Sequence, residues 1–248
     1  MSKIYANTIE TDNTNVDITL GAAGDAVLIP TGGTLKTNKI ADAGGNTIIP
    51  SDGSGYLTLN SAFKGAEVLI TTQTASSSAS IVFTSNIDST YDAYIFKMIN
   101  IRSATNNVEL TFQMNASGQT GYDETMTTTQ FHASHGEDGS PELLEYDNTS
   151  GDQPPASAAG QQLLHKMDNS ASSCGAGELY IFQPSSTQFT KQFYFRGNQR
   201  GSDSGGTSYD TFSAGYFNTT AALTEVQFKC TSGNIAAGTF KMYGLLTS

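Results

Sequence analysis

Phe131-His132-Ala133-Ser134-His135-Gly136-Glu137-Asp138 is the one cluster in this chain that gathers the usual metal-binding residue types. Two imidazoles and two carboxylates are the donors that Zn²⁺ or a similar divalent ion takes. The spacing works against a site. Residues three apart, such as His132 and His135, sit on opposite faces of a strand, so the segment reads as a solvated loop and no metal or cofactor is expected. Glu137, Asp138, Glu142, Glu145, Asp147 and Asp152 supply oxygens of the kind Ca²⁺ needs, but not at the spacing of a calcium loop. Ser134 and His135 are sequence neighbours, which does not make a dyad, and no nucleophile elbow is present. A polysaccharide-cleaving site would need two carboxylates facing each other in a groove. A non-enzymatic role is expected.

The other chemically suggestive run is Phe189-Thr190-Lys191-Gln192-Phe193-Tyr194-Phe195-Arg196-Gly197-Asn198-Gln199-Arg200. Aromatic faces beside polar edges suit sugar rings, and the loop 201–208 would shape such a site. Its alternation also fits a core strand with Thr190, Gln192 and Tyr194 outside, leaving Arg196 and Arg200 to meet acids of a neighbouring subunit. Glu142, Tyr146, Asp152, Arg196, Arg200 and Tyr209 are the candidates for surface recognition.

These residues must be carried by strands. Of 248 residues, 37% are hydrophobic and 14% charged, and 13 Phe with 11 Tyr supply core material that a disordered chain lacks. Strand patterns fall at 67–72, 80–84, 91–102, 108–115, 178–183, 189–196, 211–217, 224–230 and 238–246. In the fourth, Val108, Leu110, Phe112 and Met114 share one face, and with its predecessor it predicts a hairpin across Ser103–Asn107. Residues 161–167 fit a short helix or a strand, and 133–160, rich in Gly and Pro, reads as a long loop. The expectation for 61–248 is an antiparallel β-sandwich of jelly-roll type.

Residues 1–60 differ. Ala23-Gly24-Asp25-Ala26-Val27-Leu28-Ile29-Pro30 is answered 20 residues on by Ala43-Gly44-Gly45-Asn46-Thr47-Ile48-Ile49-Pro50. Glycine opens each unit with a turn, and proline closes it because it donates no ladder hydrogen bond. Two copies are too few to bury a continuous core, and the short strands at 16–20, 26–29, 35–40, 47–49 and 56–60 carry little apolar surface. Packing of identical chains, three around a common axis, would complete them. Residues 1–60 are thus read as a repetitive β-stem.

The net charge of −11 excludes nucleic acid as a partner, no run of about 18 apolar residues is present for membrane insertion, and the first residues lack the apolar centre of a signal peptide. Of the two cysteines, Cys230 reads as a buried thiol and Cys174 as a loop residue; a bridge between them is disfavoured in a reducing cytoplasm.

Ile18-Thr19-Leu20-Gly21-Ala22-Ala23-Gly24-Asp25, Lys39-Ile40-Ala41-Asp42-Ala43-Gly44-Gly45-Asn46, Ser51-Asp52-Gly53-Ser54-Gly55 and the closing Gly238-Thr239-Phe240-Lys241-Met242-Tyr243-Gly244-Leu245 together resemble virion fibre proteins of tailed bacteriophages, particularly marine and cyanobacterial phages. The resemblance implies a structural virion protein assembled in the host cytoplasm. It also implies a homotrimer whose stem docks on other virion proteins, tail or adaptor, through 1–60, and a C-terminal knob that meets a host surface glycan or protein. A capsid decoration or head fibre is the alternative, with a glycan-degrading tailspike behind both.

Overall fold

The computed structural model describes residues 39–41, 47–50, 67–140, 142–146, 158–202 and 206–245. The chain divides into two units, Met1–Phe63 and Lys64–Ser248. In the first, β1 (Lys39–Ala41) and β2 (Thr47–Pro50) form an antiparallel pair with Ile40 opposite Ile49. The strands expected at 16–20, 26–29 and 56–60, and most of the repeat, lie outside the described residues.

The second unit is all-β, with no helix among the described residues. Its strands are β3 (Glu67–Ser78), β4 (Ile81–Phe83), β5 (Ala93–Ser103), β6 (Val108–Ala116), β7 (Met126–Gly136), β8 (Glu142–Tyr146), β9 (Gln161–Met167), β10 (Gly175–Phe182), β11 (Lys191–Gly201), β12 (Thr207–Phe217), β13 (Leu223–Cys230) and β14 (Ile235–Leu245). All pairs are antiparallel, and the twelve strands make one sheet that forks at β11. One side of the fork runs β3-β14-β5-β10-β11-β12-β7-β8. The other, β9-β6-β13-β4, is joined to β11 through the single pair Gly201–Met167. Gln73 of β3 donates to the Val82 carbonyl of β4, so the two ends of the sheet nearly meet.

Between the branches lies a phenylalanine core. Phe112 of β6 meets Phe193 of β11 edge-on at 4.9 Å, and Phe228 of β13 meets Phe240 of β14 at 5.1 Å and Phe96 of β5 at 5.5 Å. Phe83 of β4 closes on Phe96 at 5.2 Å. The edge-to-face pairs among them, Phe112–Phe193 and Phe83–Phe96, add roughly 0.5–1.5 kcal/mol each beyond area burial. Strand β11 shows how the pleat sorts residues: Lys191, Phe193, Phe195 and Gln199 are buried, while Gln192, Tyr194, Arg196 and Asn198 are exposed.

Two expectations are corrected, and a segment left open is assigned. The hairpin predicted from β5 and β6 does not form: β5 pairs with β10 and β14, and β6 with β9 and β13. Alternation marks a strand's buried face but not its partner, and the Ser103–Asn107 link crosses between branches. Ala104 N–H bonds Asn234 and Asn107 N–H bonds Met167. The 133–160 loop is in part strand, because β7 continues to Gly136 and β8 pairs back on it; residues 147–157 lie outside the described residues. Residues 161–167, left between helix and strand, are β9.

The phase of β5 also breaks. Phe96 and Met98 point inward, yet Ile99 is exposed and Ile101 buried. Asn100 has φ 55°, and β5 carries one extra residue between Ile99 and Arg102 relative to Thr239 and Ala237 of β14. Such a bulge resets which face later side chains take. Opposite it, Gly238 has φ +131°, and a Cβ there would come within 2.6 Å of Ile101 Cδ1. Only glycine fits that conformation and that space.

Candidate functional site

Because β10, β11, β12, β7 and β8 are neighbours in register, one row of outward side chains crosses all five: Glu178, Arg196, Phe212, Phe131 and Tyr146. Phe131 and Phe212 stack at 4.8 Å, nearly parallel, and the Arg196 guanidinium lies 4.9 Å over the Phe212 ring. Arg196 also donates to Asp210 at 3.0 Å, and this bond raises its already high pKa. One step along the strands, Tyr180 and Tyr194 stack at 4.6 Å, with Phe182 at 5.8 Å from Tyr194. The Tyr180 hydroxyl donates to Glu178 at 3.2 Å. Burial first, and then the Glu178 charge, push its pKa up to about 12, so it stays a neutral donor.

At the β10–β11–β12 end of this face lies a groove of about 670 Å³, walled by Tyr180 and Tyr194 and by Glu178, Arg196, Asn198 and Asp210, with Ala176, Gly177 and Gly197 in its floor. Asn198 is fixed by its own bonds to Ser208 Oγ and the Tyr209 carbonyl, both 2.9 Å. Such a surface suits a ligand with many hydroxyls and one apolar side. A few convergent polar groups beside aromatic walls is the usual make-up of a ligand site.

Of the residues singled out in the sequence, Tyr146, Glu142 and Arg196 do stand on this exposed face. Glu142 pairs with His135 at 3.2 Å in the open. Tyr146 is exposed and accepts from Thr129 Oγ1 at 3.3 Å.

Arg200 is tied down within its own chain. It bonds Asp168 at 2.8 Å, Glu137 at 3.0 Å and Ser173 Oγ at 2.9 Å. Burial would raise the Asp168 pKa, but hydrogen bonds from Ser170 and Ser173 with the Arg200 charge outweigh it and hold it at about 2. Arg196 and Arg200 thus each meet acids of their own chain.

Tyr209 is a correction: it faces inward, 3% exposed, with its ring 5.5 Å from that of His132 and 5.1 Å from that of His165, and is no surface contact. Asp152 and Asp147 lie outside the described residues.

His132 and His135 take opposite faces as their spacing required, but on a strand rather than in a loop. His132 is buried, stacks on His165 at 4.6 Å and sits 3.5 Å from Glu145. Among the described residues no three His, Cys, Asp or Glu gather to hold a metal ion. Both cysteines are free thiols: Cys174 exposed, Cys230 buried with its pKa pushed up to about 11, by burial first and then by Glu109.

Sequence reasoning missed Glu178, Tyr180, Asp210 and Phe212. Each lies on an alternating strand, but only the register joins them to Tyr194 and Arg196.

An all-β protein with an aromatic and charged groove laid across the open face of its sheet is the class that fold and site define. Comparison with protein-family models, with curated proteins and with solved structures finds no match.

Proposed function

We propose that the chain is a structural protein of a tailed-bacteriophage virion, a short homotrimeric fibre that attaches the particle to the host cell surface. Residues 1–60 are then the repetitive β-stem, docked on tail or adaptor proteins. The twelve-stranded unit is the knob, a jelly-roll-type sandwich that contacts a host glycan or protein without breaking bonds. Assembly takes place in the host cytoplasm and the finished protein resides in the virion.

The observation that carries this reading is the five-strand row from Glu178 to Tyr146, aromatic and charged side chains turned outward together. Clustered exposed aromatics of this kind mark interaction surfaces. The 20-residue repeat and its poverty in apolar side chains support the trimeric stem.

Electron microscopy of particles decorated with antibody against the full chain is the test. Label at fibre tips with a trimeric mass for the purified protein supports the proposal; label over capsid faces favours a capsid decoration or head fibre instead, and particles without label overturn both. Shortening of host polysaccharide by the purified protein would convert the attachment role into that of a degrading spike.

A further inference from the structure

Glu178 and Arg196 are register partners on adjacent strands, and opposite charges directly across a sheet ordinarily draw together. Here they part. Lys97 Nζ lies 3.4 Å from Glu178 on the β5 side, and Tyr180 donates to the same carboxylate at 3.2 Å. Asp210 and the Phe212 ring draw Arg196 toward β12. The next pair along the strands is Gly177 with Gly197, and both must stay bare. A Cβ at either would come within 2.6 or 2.3 Å of the Phe195 ring packed beneath. The glycines are bare on the inward side, where Phe195 fills the space; on the outward side the splayed charges leave an open channel between Glu178 and Arg196.

We infer that this channel binds a neutral sugar, one pyranose unit of an uncharged glycan set between Glu178 and Arg196 against the edge of the Tyr180–Tyr194 stack. This deepens the attachment reading: the biological role rests on that reading, the binding does not. Arg196 is matched by Asp210, and Lys97 is shared between Glu67 at 2.7 Å and Glu178 at 3.4 Å, so the cluster keeps one negative charge and offers an anion no free cation. A sugar hydroxyl both donates and accepts, and therefore serves a carboxylate on one wall and a guanidinium or the Asn198 amide on the other without displacing either partner. The edges of the two stacked rings supply an apolar strip for the C–H side of a pyranose. A polyanionic glycan meets a chain of net charge −11 and is repelled. One such contact is weak, and repetition over subunits multiplies it by effective concentration.

The test uses the full-length protein on a panel of gluco-, galacto- and manno-oligosaccharides beside oligouronates, with saturation-transfer NMR on the oligosaccharides that bind. At least one neutral oligosaccharide is expected to bind, with transfer strongest to its ring C–H protons, and the oligouronates are not. Tyr194→Ala and Glu178→Gln alter exposed side chains and are expected to weaken binding at least tenfold. Ala176→Arg, which fills the floor from an exposed position and removes no contact, is expected to abolish it. Absence of any neutral ligand, preference for oligouronates, or full binding by Ala176→Arg overturns the inference. Antibody labelling of particles reads the attachment role separately, so either proposal can fail while the other stands.

Discussion

Beneath β4, β5, β13 and β14 the inward positions hold Phe83, Phe96, Phe228 and Phe240; beneath β7 and β12 they hold Gln130, His132, Ser134, Thr207, Tyr209, Thr211 and Ser213, equally buried. The same pleat thus encloses two kinds of interior. The first is held by apolar area and needs only shape. The second is held by directional bonds: Gln161 Nε2 and Ser213 Oγ both donate to Gln130 Oε1, at 2.9 and 2.8 Å, and Ser213 Oγ also reaches the Gln162 carbonyl at 3.1 Å. There, His132 Nδ1, Thr207 Oγ1 and Thr211 Oγ1 have no hydrogen-bond partner among the described residues. Alternation selects which side chains go inside; it does not require them to be oily.

The contrast can be broken most directly at its apolar end. Phe112 touches the rings of Phe193, Phe217 and Phe228, so Phe112→Ala is expected to lower unfolding free energy by about 3–5 kcal/mol in urea titrations. A loss under 1 kcal/mol would mean that this core is not what holds the sheet together.

Asp168, at the foot of β9, is nearly buried and receives bonds from Arg200, Ser170 and Ser173. Asp168→Ala is expected to cost about 1.5–3 kcal/mol, the range for hydrogen bonds to a charged group. Its pKa is depressed from 3.8 to about 2, so its contribution is complete above the unfolded value and is lost as pH falls through the folded one. The urea midpoint of the wild type should drop between pH 4 and pH 2 by more than that of Asp168→Asn. Equal drops would remove this ion pair from the account.

Within the polar interior the effects shrink and divide. Ser213→Ala deletes a donor and is expected to cost about 1 kcal/mol, leaving Gln130 Oε1 with one bond fewer. Thr211→Val replaces an unpaired hydroxyl with a methyl of similar size and is expected to be neutral or slightly stabilising. If Thr211→Val destabilises by as much as Ser213→Ala, the hydroxyl has a partner and the polar interior is more fully bonded than its described residues indicate.

Much of the fold was legible. β3 to β6 and β10 to β14 were marked by their alternating or β-branched runs. β7 was not, because its inward residues after Met126 are Gln130, His132 and Ser134, so the period of two is present without a period of hydrophobicity. Gly136 and Gly139 then read as loop, where Gly136 ends β7 and Gly139 N–H bonds back to its carbonyl in the turn that follows. The site divides the same way. Tyr194 and Arg196 were visible as the outward residues of an aromatic strand. Their partners were not, since which strand lies beside which depends on long-range pairing that no local pattern encodes. Tyr209 was misplaced for the same reason: a tyrosine at the end of a glycine-rich loop looks exposed until its strand is known to begin two residues earlier.

The bulge at Asn100 is balanced by a second irregularity. β14 carries its own extra residue between Ile235 and Ala237, so that Ser103 still pairs with Ile235 and Ile99 with Thr239. The two insertions cancel over a stretch of equal length on both strands. Natural relatives of this protein should therefore gain or lose a residue at these two places together or not at all, a paired signature of length that would survive after the amino acids themselves had diverged.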